Sequence, residues 1–218
     1  MKKITLYWSI ILFQVCSSNT LLSQSEIERL LFPRREWMSS YPSSYTKERF
    51  SIRISYNKSN EFRLWIDAHG LDEPQRQGGF YIQEKYHAKF IETLKKAKAK
   101  YIEWRQVAID NNISDYTKLM DFDLNITGYF RYANRWHVDF IPEPSIVFSI
   151  VPGNPSTHKY LLLIKTNKLT SYDDEKIESD GFLLVFRSAS GISEFIDTIS
   201  LESIKSFQSK PSKEDLFK

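Results

Sequence analysis

Apolar and polar residues alternate with period two in two long blocks of the chain. Phe50, Ile52, Ile54 and Tyr56 are separated by polar residues, and after a polar break Phe62, Leu64, Ile66 and Ala68 resume the pattern. Such alternation predicts paired strands with one apolar face. Every apolar member is even-numbered. A two-residue loop would oppose even to odd positions and send the two apolar sets to different faces, so an odd-length loop is required. Lys58-Ser59-Asn60 supplies it, with Asn60 suited to a left-handed backbone, and Arg53 then faces Trp65 across the pair. The second block repeats the logic: Phe122, Leu124, Ile126, Gly128, Phe130 and Tyr132, then Trp136, Val138 and Phe140. Its matching loop is Tyr132-Ala133-Asn134, which sets Tyr129 opposite His137 and Thr127 opposite Asp139.

Three further strands are expected at 146–151, 160–166 and 182–187. The last two contain the nearly continuous apolar runs LLLI and FLLVF, which fit strands lying centrally with both faces covered. Between the hairpins, Phe90, Leu94, Ala97, Tyr101, Trp104 and Ala108 recur at spacings of three and four, flanked by Ile91, Ile102 and Ile109. They predict a long amphipathic helix over 83–111. Ile192, Phe195, Ile196 and Ile199 predict a second helix, continued through Leu201, Ile204 and Phe207. Ser25 and Glu28 read as a capping box for a short helix carrying Ile27, Leu30 and Leu31, closed by Pro33 and the Arg34-Arg35 pair. The stretch 37–47 reads as an irregular connection. The expected fold class is α+β: a mostly antiparallel sheet built from two hairpins plus three further strands, packed by one long helix and a C-terminal helix. The alternative is two small lobes divided near Asn111.

The N-terminus follows a different pattern. Lys2 and Lys3 precede a twelve-residue apolar run, Ile4 to Val15, and then Cys16, Ser17, Ser18 and Asn19. A basic head, a short apolar segment and small polar residues make the layout of a secretory signal peptide, and the MKK opening resembles a bacterial Sec signal. Twelve helical residues reach roughly 18 Å against a hydrocarbon core of roughly 30 Å, too short for a permanent span. Cleavage is expected after Ser23, or earlier after Ser17 or Ser18. Cys16 opens a second reading, lipid attachment as in a bacterial lipoprotein, although Val15 stands where that signal carries a small residue. The organisation is thus a signal peptide at 1–23, one α+β domain at 24–208 and a polar tail at 209–218.

Removing that leader changes the charge. The full chain of 218 residues holds 30 basic and 27 acidic side chains, and the leader takes two lysines and no acid, leaving 28 against 27. Near neutrality gives no reason to expect nucleic acid as a partner. The single cysteine leaves as well, so the exported domain would be disulfide-free and without a thiol nucleophile. The aromatic share of 15% is high and favours sheets and a large core.

The densest polar set lies on the odd positions of the second hairpin: Asp121, Asp123, Asn125, Thr127, Tyr129 and Arg131, then Arg135, His137 and Asp139. In the expected register Tyr129, His137 and Asp139 are neighbours, and an imidazole beside a carboxylate and a phenol can do acid-base work. These three are the candidate catalytic residues. An ordinary solvated sheet face has the same alternation without chemistry. The four histidines, His69, His87, His137 and His158, form no HxxxH or HExxH pair; Asp67 with His69, and His137 with Asp139, are spaced by two on one strand face, and no metal site is assigned. Asp121-Phe122-Asp123 lacks the Gly and closing Glu of a calcium loop. With seven glycines there is no GxGxxG or P-loop, Gln77-Gly78-Gly79-Phe80 reads as a flexible turn entering a short strand, and Ser190-Gly191 lacks the elbow of a serine hydrolase. No cofactor is expected.

Two surfaces are candidate binding sites. Lys85, Lys89, Lys96 and Lys100 form a stripe on the long helix opposite its apolar arc, suited to an anionic surface, although Glu92 stands four residues before Lys96 and can pair with it. Trp65, on the polar face of the first hairpin opposite Arg53, joins Trp37, Tyr41 and Tyr45 as a potential aromatic platform for a sugar or peptide, or stacks with Arg53 as a structural pair. The function expected is an exported, periplasmic or envelope-associated, non-catalytic binding or assembly module whose partner, an envelope protein or a glycan, the sequence does not name. The alternatives are a hydrolase-like or metal-assisted enzyme using Tyr129, His137 and Asp139, and an anionic-surface binder using the lysine stripe.

Overall fold

The computed structural model describes residues 29–30, 35–38, 47–69, 77–120, 122–140, 142, 144–151 and 159–208. The leader at 1–23 with Cys16, the tail at 209–218, Tyr41, Tyr45, Asp121 and His158 lie outside them. The described elements run β1 (Arg29–Leu30), β2 (Arg35–Met38), β3 (Lys47–Tyr56), β4 (Phe62–His69), β5 (Gln77–Gln83), α1 (Glu84–Asp110), β6 (Tyr116–Met120), β7 (Thr127–Tyr132) and β8 (Arg135–Asp139). They continue with β9 (Pro144–Val151), β10 (Lys159–Thr166), β11 (Leu169–Thr170), β12 (Glu178–Ser179), β13 (Leu183–Phe186), α2 (Ala189–Thr198) and α3 (Leu201–Gln208). The class is α+β, with antiparallel sheets, one long helix and C-terminal helices. A seven-stranded sheet has the order β1-β3-β4-β5-β7-β8 with β2 also on β3, a four-stranded sheet the order β13-β10-β9-β6, and β11 pairs with β12. The run FLLVF, expected to lie centrally, is instead in β13 at an edge of the four-stranded sheet among the described residues.

The first hairpin forms in the expected register: Ile52 faces Ile66, Ile54 faces Leu64, Tyr56 faces Phe62 and Arg53 faces Trp65. Asn60 is left-handed at φ 60°, and Asn57 closes the loop by accepting the Ser59 and Glu61 amides on its side chain. The second hairpin does not follow expectation. Ala133 and Asn134 both have positive φ, 46° and 64°, and make a two-residue turn, so Phe130 rather than Tyr129 faces His137, and Gly128 rather than Thr127 faces Asp139. The expected register requires Trp136 and Val138 to join the even-numbered core. Instead the outer face of the sheet carries its own aromatic cluster, Trp65, Tyr81 and Tyr129, and Trp136 packs there with its ring 5.8 Å from Tyr129.

Three other expectations change. Arg29–Leu30 is extended against β3, where a short helix was expected, and 35–38 pairs with 47–50, where an irregular connection was expected. Gln77-Gly78-Gly79 is no turn but the start of β5, which lies between β4 and β7. There the glycines are needed for closeness: a Cβ on Gly78 would lie 2.3 Å from the Phe182 ring, and one on Gly79 1.9 Å from the Ile66 carbonyl oxygen. β6 had no clear sequence signal, because Lys118 interrupts the set Tyr116, Lys118 and Met120, which pairs with Ile150, Phe148 and Ile146 while Tyr116 and Lys118 themselves stay exposed.

The core lies where the even face of the large sheet, the inner face of the small sheet and α1 meet. Ile54, Leu64, Ile66, Phe80 and Phe130 belong to one buried cluster with Phe148, Leu162, Ile164 and Phe186 and with Phe90, Leu94, Ala97 and Tyr101 of α1. Tyr101 donates to the carbonyls of Tyr160 and Arg187 at 3.1 and 3.0 Å and so ties the helix to two chain segments. No helix among the described residues is long and apolar enough to cross a membrane.

The expected single C-terminal helix is two. Ser200 caps the amide of Ser203 at 3.2 Å and starts α3, while the Ile199 carbonyl is taken by the His87 ring nitrogen Nε2 at 2.6 Å. A carbonyl only accepts, so Nε2 carries the hydrogen. Burial holds the His87 pKa below its ordinary value, with the Ile199 bond and Glu84 opposing. Above pH of about 6.5 both folded and unfolded chains keep this imidazole neutral. As pH falls below that value the unfolded chain takes up a proton that the folded one resists, so stability declines. We expect up to about 1.4 kcal/mol of this loss per pH unit, seen in urea unfolding between pH 7.5 and 5.5, and removed in His87→Gln, which keeps an N–H donor but does not titrate.

Candidate functional site

The two-residue turn separates the three candidate catalytic residues. Opposed residues of an antiparallel pair share a face, so Tyr129 lies on the outer face with Val138, and His137 lies on the other with Phe130. Asp139, opposite Gly128, is on the His137 side. The structure therefore brings His137 and Asp139 to one face and puts Tyr129 through the sheet from them.

On the outer face, Tyr129 meets a residue that sequence reasoning had considered only as a metal ligand. Its hydroxyl donates to Oδ1 of Asp67, and Arg53 grips the same carboxylate with Nε on Oδ2 at 2.5 Å and Nη2 on Oδ1 at 2.8 Å. Ser51 Oγ also donates to Oδ2, at 2.9 Å. Each carboxylate oxygen thus accepts two hydrogen bonds, which fills the ordinary acceptor capacity of the group. The Arg53 guanidinium also lies 5.3 Å from the Trp65 ring centre, and Trp65 Nε1 donates to the buried Ser55 at 2.7 Å. Burial, and next the charge of Asp67, raise the Tyr129 pKa well above its ordinary value, with Arg53 opposing. The phenol stays a neutral donor and does not act as a base near neutrality. Trp65 is 2% exposed, so it forms a buried pair with Arg53 rather than a surface platform. The expectation of a platform at Trp65 is corrected for that reason. Asp67 and Tyr129 are far apart in sequence, and only the β3-β4-β5-β7 strand order joins them; the Arg53–Trp65 register was the one signal pointing to this face.

On the opposite face, His137 and Asp139 hold the segment that follows β10. His137 stacks on Phe130 with ring centres 5.5 Å apart, and its Nδ1 pairs with Ser171 Oγ at 3.0 Å. Asp139 Oδ2 accepts the Thr170 amide at 3.0 Å, and the Val138 carbonyl accepts the Tyr172 amide at 2.8 Å. A Cβ on Gly128 would meet the Leu169 side chain at 2.7 Å, so β11 seats directly on the sheet. These contacts give His137 and Asp139 an anchoring role for residues 169–172.

The lysine stripe is engaged along its length. Lys89 pairs with Asp123 at 2.8 Å, Lys96 with Glu92 at 2.6 Å in the expected i, i+4 geometry, and Lys100 with Glu103 at 2.8 Å. Lys85 lies 4.8 Å from the Tyr86 ring centre. The Lys96 hydrogen bond lowers the Glu92 pKa, and the Lys89 bond that of Asp123. No group of three or more His, Cys, Asp or Glu among the described residues has the geometry to hold a metal ion. No known protein family, curated protein or solved structure matches the chain.

Two measurements check these roles. Asp67→Asn and Tyr129→Phe should each destabilise the fold, by about 2–3 and about 1–2 kcal/mol, because each strands a partly buried partner. Their double variant should lose less than the sum in a thermodynamic cycle. Asp139→Ala should speed hydrogen exchange at the Thr170 and Tyr172 amides and leave the Tyr129 side of the sheet unchanged.

Proposed function

We propose that the chain is an exported, non-catalytic binding or assembly module that takes an extended segment of an envelope protein onto the free edge of β6. The observation that carries this reading is the state of that edge. β6 ends the four-stranded sheet, and Leu119 on it is 67% exposed. An edge strand offers unpaired backbone donors and acceptors to any extended chain, and natural edges are commonly guarded by an outward lysine. The lysine here is on the other face from Leu119: Lys118 is exposed on the side of β6 that meets α1, and its ammonium lies 4.5 Å from the Trp104 ring centre. Leu119 instead opens an apolar row that crosses the sheet through Val147, Leu163 and Val185, paired residue to residue. A partner strand laid on β6 would continue this row. The engaged state of Tyr129, His137 and Asp139 favours binding over acid-base chemistry, and the basic head and apolar run at the N-terminus support export.

The test is a photo-crosslinking residue placed at Thr117, with Glu202 on α3 as the control position. The expected outcome is a shortened N-terminus in the exported fraction and a discrete adduct at 117 that is absent at 202 and lost in the Leu119→Lys background, with an unchanged thermal midpoint. Retention of the intact chain in the cytoplasm, or adducts that ignore both position and Leu119→Lys, would reject the reading.

A further inference from the structure

The tip of the second hairpin is built unlike the rest of the surface. β7 pairs with β5 only from Thr127 to Phe130, so residues 131–136 are carried beyond that pairing by the hairpin itself, and all six are exposed. Their sequence is Arg-Tyr-Ala-Asn-Arg-Trp, with two cations and no acid. The two-residue turn fixes how they are displayed. Arg131 faces Trp136 and Tyr132 faces Arg135, so each face of the finger carries one guanidinium and one ring. Trp136 is 42% exposed and Tyr132 44%. Arg131 lies 6.0 Å from the Trp136 ring centre and is held on Gln77 at 3.3 Å, a neutral group, while Arg135 has no ion pair among the described residues.

A flat partner would meet one face of such a finger and leave the other arginine and ring unused. A medium that surrounds the tip uses both. The headgroup layer of a bilayer is such a medium: Trp and Tyr partition to it because one end of each ring system is apolar and the other polar, and arginine gains from anionic lipid phosphates. We infer that the 131–136 hairpin tip is a membrane-surface anchor that inserts into the headgroup region of anionic bilayers. This site is separate from the lysine stripe of α1, whose cations are already engaged, and from the β6 edge.

The test uses protein purified from cells expressing the full chain, with vesicles of phosphatidylglycerol and phosphatidylcholine against phosphatidylcholine alone. Binding by co-sedimentation should require phosphatidylglycerol and weaken as salt is raised. Arg131→Gln with Arg135→Gln should weaken it about 30-fold, about fivefold for each guanidinium, while Arg131→Lys with Arg135→Lys restores most of it. Bromine-labelled lipid should quench tryptophan emission in the parent protein and much less in Trp136→Phe, a readout that does not depend on the arginine variants folding. Leu119→Lys should bind vesicles as the parent does, which separates failure here from failure of the edge-strand reading. The inference is overturned if the protein ignores phosphatidylglycerol, if the double Gln variant binds as tightly as the parent, if Trp136→Phe leaves quenching unchanged, or if a single-stranded oligonucleotide displaces the protein from the vesicles.

Discussion

Everything in this fold is arranged around the need to keep one side of α1 dry. A 27-residue helix with Phe90, Leu94, Ala97, Tyr101 and Ala108 on one arc presents far more apolar surface than a single hairpin can cover. Two sheets meet that demand, and the helix belongs to both, touching β4 and β5 of one and β10 of the other. The buried aromatics of the helix pack edge-to-face with rings from the surrounding elements, Phe90 on Phe195 and Tyr101 on Phe148, a geometry that favours ring pairs beyond their buried area. The sheets can then spend their other faces on something else.

What they spend them on differs. The large sheet builds a second, smaller layer on its outer face, in which an arginine, a carboxylate and a tyrosine satisfy one another beside Trp65 and Tyr81. The four-stranded sheet carries an aliphatic row to β6, its edge strand among the described residues. The chemistry-bearing residues of the second hairpin are drawn into structure by the same economy, Tyr129 into the outer layer and His137 and Asp139 into holding β11. Polar residues that look like a site when read along a strand become, once the faces are assigned, parts of two unrelated supports.

Period-two alternation made the first hairpin legible to the residue, because its inner face is uniformly apolar and Trp65 is the one large apolar residue on its outer face between 50 and 68. The long helix was legible for the same reason in period 3.6. The second hairpin was not, since Trp136 and Val138 have an apolar destination on either side of the sheet, and Ala-Asn lacks the glycine that marks a two-residue turn. That one-residue slip moved the whole candidate site, because faces alternate with every position. β6 was hidden by a lysine lying over an aromatic ring, a role that composition does not distinguish from a solvated charge. The break between α2 and α3 was hidden because Ile199, Leu201 and Ile204 continue the helical period across it; what marks the break is the Ser200 cap and the His87 bond to the Ile199 carbonyl.

That last contact spans 112 residues. His87 is therefore synthesised well before the carbonyl it binds, and sits at the start of a helix held by local bonds. The C-terminal pair can close onto α1 only once Ile199 has been synthesised, 112 residues after His87. Until that contact forms, the side of α2 and α3 that holds Phe195 and Ile204 has no α1 surface to close against, and exposed apolar faces of this kind are what make incompletely folded chains prone to associate.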